Sequence, residues 1–190
     1  MSTLKNIHSS VLSCKKCRLS EGRINAVPGE GNPNADIMFI GEGPGKSEDE
    51  KGVPFVGAAG KFLDELLAEI GLKRSDVFIT NVVKCRPPEN RDPQDDEIAM
   101  CWPYLEEQVR QIKPKLIVTL GRHAMNRFLP NLKISEAHGQ AKRFKGVGTD
   151  KQVYFPMYHP AVALYNGSYR ELLKEDMRKI PKLLSMIESV

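Results

Sequence analysis

Four short apolar segments recur along the chain, and each predicts a buried strand. They are Ile37–Ile40, Val77–Thr80, Leu116–Leu120 and Val153–Met157. Each is rich in branched or aromatic residues and stops at a turn-forming or polar sequence. This pattern is typical of strands that are covered on both faces.

Two stretches between these segments have apolar residues at helical spacing. Ala58–Ile70 places its apolar side chains on one stripe, and Gly71 is expected to cap its C-terminus. Pro93–Ile112 is expected to follow Asp92 as N-cap, with proline in the first helical position. We expect its outer face to carry the acidic residues Glu97, Glu106 and Glu107.

A third amphipathic stretch, Gly167–Ile187, contains Pro181, which is expected to kink the helix or to restart it. The alternation of strands and helices predicts right-handed crossovers, a central parallel sheet and an α/β fold. A chain of 190 residues suits one domain over 1–190.

In open parallel sheets, ligands bind beyond the carboxyl ends of the strands. Three of the four predicted strands end in residues that could carry chemistry. The first runs into the glycine-rich turn Gly41–Gly45, the second into Asn81, and the last into His159 and Pro160. The sequence therefore predicts a site where these three strands end.

The glycine-rich turn continues as Lys46-Ser47 and so resembles a phosphate-binding P-loop. The P-loop pattern requires glycine where this chain has Ile40, and the acidic segment Glu48–Gly52 follows. Nucleotide hydrolysis is therefore disfavoured. Backbone without side chains would instead allow a flat ligand to approach the amide groups.

Composition adds limits rather than a function. Hydrophobic residues make up 41% and charged residues 27%, which are ordinary values for a globular domain. The net charge of +4 permits a polyanionic partner, and Lys142–Lys145 with Lys151 is either a basic contact patch or a solvated loop. Neither a signal peptide nor a membrane span is expected, so we expect a cytoplasmic protein with reduced thiols.

The four cysteines favour a metal site over disulfides in a reducing compartment. Cys14 and Cys17 form a C-x2-C pair, while Cys85 and Cys101 lie far downstream. Four thiolates could hold structural zinc or a [4Fe–4S] cluster, and unpaired buried cysteines are the remaining alternative. A metal here would clamp the N-terminal segment onto the sheet.

Together these motifs resemble the thermostable, iron–sulfur branch (family 4) of the uracil-DNA glycosylases. The matching segments cover nearly the whole chain: Gly41–Gly45, Gly52–Gly57, Thr80–Pro88 and His159–Ala161, with the four cysteines at the cluster-ligand positions. The resemblance implies a three-layer α/β/α fold with a four-stranded parallel sheet. It also implies a [4Fe–4S] cluster and hydrolysis of the N-glycosidic bond of uracil flipped out of DNA.

The resemblance also assigns roles at the site. Phe55 would stack on uracil, Asn81 would read its Watson–Crick edge, and His159 would donate to O2 of the departing base. The glycine-rich turn, with Gly41, would lie against the base, and the backbone amides near Gly43 would help His159 to stabilise the departing base.

The residue that handles the water nucleophile stays open, because related branches have an aspartate or asparagine where this chain has Gly43. Glu42 would either orient water or support its loop, and Glu48 would close the pocket against the thymine methyl group. Leu164 or Tyr165, in the loop Pro160–Ser168, would form a wedge in the duplex, or that loop is simply exposed.

The remaining histidines, His8, His123 and His138, match no motif of the family and are interpreted as structural. The expected partner is uracil-containing DNA, bound by a nucleoid-associated monomer that releases its product. A sliding clamp stays open as a partner, although neither end carries a clear clamp-binding motif. The rival hypothesis is a metal-stapled module that binds uracil in DNA without cleaving it.

Overall fold

The structure is a computed structural model that describes residues 3–147 and 149–188. Within these residues, strands β1 to β6 span Glu30–Gly31, Ile37–Gly41, Phe78–Asn81, Leu116–Leu120, Lys142–Gly146 and Thr149–Met157. Helices α1 to α10 span Leu4–Leu12, Leu19–Gly22, Lys46–Lys51, Ala58–Glu69, Asp95–Ile112, Arg122–Phe128, Ile134–Ala137, Val162–Tyr165, Ser168–Arg178 and Ile180–Glu188. Two 3-10 turns, Arg74–Asp76 and Pro88–Asn90, complete the regular structure of this part of the chain.

The strands form one sheet in the order β1-β3-β2-β4-β6-β5. The four central strands are parallel, as predicted, and they are the four apolar segments of the sequence. The sheet also has two antiparallel edge strands, β1 and β5, that the sequence did not predict. β1 has two residues, and β5 is polar and mostly exposed, so neither carries the apolar signal of a buried strand.

Both faces of the sheet are covered by helices, which confirms the three-layer α/β/α arrangement. Met38 and Ile40 of β2 pack on the side of α1, α5 and α6, whereas Ile37 and Phe39 pack on the side of α4, α9 and α10. Side chains alternate along a strand, so a strand between two helical layers must be apolar at every position. This explains the continuous apolar runs.

The predicted start of the long helix was wrong. Helix α5 begins at Asp95 with Gln94 as N-cap, because the Glu97 carboxylate accepts a hydrogen bond from the Gln94 backbone N–H at 2.8 Å. Asp92 and Pro93 therefore lie outside the helix. This reciprocal cap satisfies free backbone donors of the first turn.

The outer position predicted for Glu97 was also wrong. Its side chain is fully buried, and Arg91 binds both carboxylate oxygens at 2.9 and 2.6 Å. Arg18 adds a third contact at 3.0 Å. Hydrogen bonds from Arg91 lower the pKa of Glu97 to about 2, so the buried carboxylate stays charged and paired.

The last amphipathic stretch divides into α9 and α10 at Lys179. Pro181 occupies the first turn of α10, which confirms the expected restart, since proline is tolerated there. None of the helices in the described residues is long and apolar enough to cross a membrane.

Candidate active site and cysteine centre

The ends of β2, β3 and β6 bring together three of the residues predicted for the base pocket. Gly41 pairs with Asn81 across the parallel strands. A Cβ atom at Gly41 would lie 2.4 Å from the Asn81 Oδ1 and 2.6 Å from the Phe55 Cζ, so only glycine leaves room here. The rings of Phe55 and His159 stack with centroids 5.6 Å apart.

Asn81 is held by its backbone while its side chain stays unsatisfied. The side chain is buried, and its Oδ1 has no hydrogen-bond partner among the described residues. The next peptide N–H, from Val82, donates to the Gly41 carbonyl at 2.9 Å. Buried polar atoms are nearly always hydrogen-bonded, so this oxygen is suited to receive a donor from a ligand.

His159 presents a neutral ring with a defined tautomer. Its Nδ1 accepts a hydrogen bond from the Ala161 backbone N–H at 3.1 Å, which assigns the ring proton to Nε2. Burial lowers the pKa of His159 to about 4, although the charge of Glu48 opposes this shift. At neutral pH the ring is therefore an uncharged Nε2–H donor.

Phe55 adopts left-handed backbone geometry, with φ of 51°, which is unfavourable for an aromatic residue. Two backbone carbonyls of its loop, those of Pro54 and Phe55, accept hydrogen bonds from the Arg74 guanidinium. Arg74 is itself fixed by ion pairs with Glu30 and Asp64 at 2.7 and 2.6 Å. Sequence reasoning missed Arg74, because nothing near it in the chain indicates this contact.

Gly60, in α4, also supports the Phe55 loop. A Cβ atom at Gly60 would lie 1.7 Å from the carbonyl oxygen of Phe55, so the helix can approach the loop only as glycine. The sequence pattern gave no signal for this contact.

Glu48 contacts the same loop. Its carboxylate accepts hydrogen bonds from the backbone N–H groups of Val56 and Gly57 at 2.9 and 2.8 Å. These contacts hold the segment that carries Phe55. The predicted closure of the pocket against a thymine methyl group stays a prediction.

A cleft of about 190 Å³ opens beside this pocket, and Glu42 and His159 line it. Its other lining residues are Gly43, Pro44, Gly45, Pro87, Asn90, Arg91, Asp92 and Pro93. Gly43 packs closely on Val83, where a Cβ atom would lie 2.8 Å from the Val83 Cγ2. The predicted use of the amides near Gly43 remains a prediction.

Glu42 has an unusual carboxyl group. Its Oε1 is buried without a hydrogen-bond partner among the described residues. Burial, and then the charge of Asp92, raise the pKa of Glu42 to about 7. The ligand atoms of Glu42, Asp92 and His123 lie within 4.8 Å of one another. His123, interpreted as structural, thus lies next to a predicted site residue.

The four cysteines come from separate places in the chain and meet beside the end of β3. Cys14 and Cys17 lie between α1 and α2, Cys85 follows β3, and Cys101 lies in α5. All four are free thiols, and electrostatic interactions connect Cys85 with Cys14 and Cys17, and Cys101 with Cys85 and Cys17. This donor set fits a metal group held by four thiolates.

Cationic groups surround the cysteine centre. Arg23 donates to the Cys85 Sγ at 2.9 Å and to the Cys14 carbonyl at 2.8 Å. Burial raises the pKa of Cys101 to about 11, and the nearby ammonium of Lys84 opposes this shift. The pKa of Lys84 is lowered to about 7 by burial, against the charge of Cys101. Thiols in such surroundings become thiolates when a metal binds.

Two further predicted surfaces lie outside the pocket. Lys142–Lys145 forms most of edge strand β5, and Lys151 lies near the start of β6, whose other end leads to His159. Its role as a DNA contact stays a prediction. In the loop after His159, the structure contains the short helix α8, on which Leu164 is 46% and Tyr165 is 90% exposed.

His8 and His138 lie outside the pocket. The His8 ring packs near Phe78, with centroids 6.1 Å apart, and His138 Nδ1 lies 2.7 Å from the buried Asp176 Oδ2. The first contact joins α1 to β3, and the second joins the end of α7 to α9.

Comparison with known proteins agrees with this geometry. The family model of the uracil DNA glycosylase superfamily matches residues 28–180. A type-4 uracil-DNA glycosylase of Sulfurisphaera tokodaii is 52% identical over 96% of this chain and 86% of its own length. Those of Archaeoglobus fulgidus and Thermotoga maritima are 47% and 43% identical, over 96% and 91% of this chain and 94% and 90% of their own lengths. The family match and these relatives agree with the pocket and the four cysteines. The chain therefore belongs to the uracil-DNA glycosylase superfamily, in its type-4 branch.

Proposed function

We propose that this protein is a uracil-DNA glycosylase that flips uracil out of DNA and hydrolyses its N-glycosidic bond, leaving an abasic site for base excision repair. The observation that carries the proposal is the buried, unpartnered Oδ1 of Asn81 beside Gly41 and Phe55. Uracil offers N3–H to this oxygen and O4 to the amide nitrogen, while its flat face suits the ring of Phe55.

His159 supplies the main electrostatic contribution to the reaction. Negative charge develops on the departing base as the N-glycosidic bond breaks, and a fixed donor aimed at O2 stabilises that charge. The neutral Nε2–H donor described above needs no proton transfer to do this. A pocket that excludes water strengthens the interaction.

Glu42 is assigned here to the water nucleophile. A carboxylate that merely supports its loop would have hydrogen-bond partners in the loop, yet Glu42 Oε1 has none among the described residues. Its position in the cleft next to His159 allows it to accept a hydrogen bond from a water molecule near the sugar.

The resident metal group is proposed to be a [4Fe–4S] cluster held by the four cysteines. Four thiolates from separate parts of the chain meet at one place, and this donor set is one that a [4Fe–4S] cluster accepts. The preference for a cluster over zinc rests on the resemblance to the iron–sulfur branch of the family. The cluster would supply structural cross-linking of the N-terminal segment.

Iron and sulfide analysis, with the visible spectrum of anaerobically purified protein, tests this assignment. Iron and sulfide in equal amounts, and a brown colour that depends on all four cysteines, are expected. Stoichiometric zinc without iron would overturn it.

The enzyme is proposed to act as a monomer on intracellular, nucleoid DNA, with the exposed Tyr165 or Leu164 as the wedge behind the flipped base. Both residues lie on α8, which follows closely after His159. A wedge would offset part of the unstacking cost of a few kcal/mol.

The decisive experiment incubates a uracil-containing oligonucleotide with the protein, then treats it with alkali and measures strand breakage. Breakage at uracil is expected, with the same oligonucleotide carrying thymine as the control. Binding without breakage would instead favour a non-catalytic uracil-binding module. Asn81→Ala should lose about 1–3 kcal/mol of recognition, and cleavage by this variant at the wild-type rate would remove Asn81 from its assigned role.

A further inference from the structure

Lys84 occupies a buried position between the base pocket and the cysteine centre. It comes three residues after Asn81 and directly before Cys85, and its side chain is only 1% exposed. Its ammonium donates to Thr80 Oγ1 at 2.5 Å, to the Gln108 Oε1 at 2.7 Å, and to the Asn81 carbonyl at 2.8 Å. All three acceptors are neutral.

A buried cation normally requires an opposite charge, because neutral acceptors replace only part of its hydration. Among the described residues, no ion pair joins this ammonium to a carboxylate, and its hydrogen bonds go to neutral acceptors. The Lys84 backbone N–H donates to the Cys101 Sγ at 3.3 Å, and the next residue in the chain is Cys85. An iron–sulfur group held by four thiolates carries net negative charge, so it would provide the charge that this ammonium otherwise lacks.

The same ammonium fixes one end of a single peptide group, the one that joins Asn81 to Val82. The N–H end of that peptide donates to the Gly41 carbonyl at 2.9 Å, and its carbonyl end accepts from Lys84 at 2.8 Å. The Asn81 side-chain oxygen has no hydrogen-bond partner of its own among the described residues, so the hydrogen bonds that hold Asn81 in place are those of its backbone.

Gln108 connects Lys84 to the helix that carries Cys101. It lies seven residues after Cys101 on α5, accepts from Lys84, and donates through Nε2 to the Pro28 carbonyl at 2.6 Å. Thr80 Oγ1 donates to the same carbonyl at 3.0 Å. The ammonium is therefore held in place by elements from three parts of the chain.

We propose that Lys84 is a positioning residue that joins the two centres: its ammonium is the internal counter-charge of the metal group held by the four cysteines, and it orients Asn81 for uracil. The proposal rests on the proposed function for its second half only. Lys84 does not contact the base, and it acts through the Asn81–Val82 peptide.

Two variants separate the two roles. Lys84→Met removes both the charge and the donor, whereas Lys84→Gln removes the charge and keeps an N–H donor near the Asn81 carbonyl. Lys182→Met, at an exposed position of α10, is the matched control. The readouts are iron content, the midpoint potential of the cluster, and KM and kcat on uracil-containing DNA.

We expect both Lys84 variants to shift the midpoint potential to more negative values, because loss of a nearby positive charge disfavours the reduced, more negative cluster. Lys84→Met should raise KM for uracil-containing DNA about tenfold, the effect of losing one hydrogen bond that positions Asn81, with a smaller change in kcat. Lys84→Gln should recover most of this loss in KM while keeping the shifted potential.

An unchanged potential and KM in Lys84→Met would overturn the proposal, as would equal KM losses in the two variants. Loss of iron from both, with retained circular dichroism and an intact Lys182→Met control, supports the counter-charge role. Global unfolding of Lys84→Gln would overturn it in favour of a purely structural lysine. If the wild-type protein forms no abasic sites, the proposed function fails, whereas the shift in potential still tests the counter-charge role.

Discussion

The base pocket and the cysteine centre both start at the carboxyl end of β3, at Asn81 and at Cys85, but they differ in the cations beside them. In the pocket, burial lowers the pKa of His159 to about 4 and raises that of Glu42 to about 7, so both groups tend toward neutrality. Around the cysteines, burial also lowers the pKa of Lys84 and raises that of Cys101, but the Arg23 guanidinium, which stays charged, donates directly to the Cys85 Sγ.

The difference follows from when negative charge is present. A metal group held by four thiolates would be charged at all times, so a permanent cation such as the Arg23 guanidinium would stabilise it. Charge on a departing base exists only briefly, and a permanent cation there would bind every anion. Neutral, oriented donors stabilise the transition state without favouring other anions to the same degree. One strand end thus serves two sites with separate electrostatic designs.

The largest effect is expected from removing one thiol of the cysteine centre. Cys101→Ser should abolish stoichiometric iron binding and lower stability by about 5 kcal/mol or more, because metal binding contributes directly to folding. For a chain of this length that loss corresponds to a fall in Tm of about 10–20 °C. Iron analysis and thermal denaturation check it, with the exposed neighbour Met100→Ser as control. Wild-type iron content and Tm in Cys101→Ser would contradict the assignment.

The base pocket is tested by His159→Ala. This variant should slow single-turnover cleavage about 10²–10³-fold, because that is the usual cost of losing a hydrogen-bond donor to a developing oxyanion. Iron content and Tm should stay at wild-type values. Because the pKa of His159 is about 4, its ring is uncharged from about pH 6 upward, and the wild-type rate should show no histidine-dependent step between about pH 6 and 7. A step near the ordinary histidine pKa of about 6.5 that disappears in His159→Ala would show that the imidazolium, not the neutral ring, takes part.

Glu42→Gln should reduce cleavage by about tenfold at about pH 8 and should flatten the pH profile. This loss is smaller than the roughly 10²–10⁴-fold effect of a full general base, because Glu42 is proposed only to orient the water. The wild-type rate should rise as pH increases through about 7, where Glu42 ionises. The free energy of unfolding should change in the opposite direction and fall as pH increases. The folded-state pKa lies above the usual 4.5, so the stabilising contribution is complete below about pH 4.5 and is lost as pH rises through 7.

Thermal denaturation at about pH 5 and about pH 8, on either side of this pKa, checks the stability of Glu42→Gln. Wild-type Tm should fall by a few degrees more than that of the variant between these two pH values. Identical pH dependence of the two proteins would show that Glu42 does not titrate near 7.

The smallest effect is expected from removing Arg74, which supports the loop that carries Phe55. Arg74→Ala removes the hydrogen bonds to the carbonyls of Pro54 and Phe55, so the left-handed loop should relax and KM should rise about three- to tenfold, or about 1 kcal/mol. Steady-state kinetics on uracil-containing DNA measure it. Arg178→Ala, which removes ion pairs with Glu69 and Glu171, is the matched control. Equal KM for both variants would contradict a role for Arg74 in holding Phe55.

The sequence was informative where a local pattern and the fold impose the same requirement. The central strands were predicted because burial on two faces demands apolar residues at every position, and their ends predicted where the site lies. Edge strand β5 was missed since a strand with one solvated side needs no such pattern. The start of α5 was misplaced because two N-terminal caps were available locally, and the Gln94–Glu97 pair is the one that forms.

Sites depend more on contacts between residues distant in sequence. The positions of Asn81, Phe55 and His159 followed from strand ends and family motifs. Arg74, Gly60 and Lys84 could not be found in this way, because each acts on a backbone carbonyl that only the folded chain brings near. Glu97 was placed on the surface for the same reason, since its partners Arg91 and Arg18 lie outside its helix.

The distance in sequence between the two cysteine pairs has a consequence for the order of folding. Cys14 and Cys17 are separated from Cys85 and Cys101 by the segment that forms β2, β3 and the start of α5. Closing so long a loop is entropically costly, so the metal should enter late, on a sheet that is already assembled.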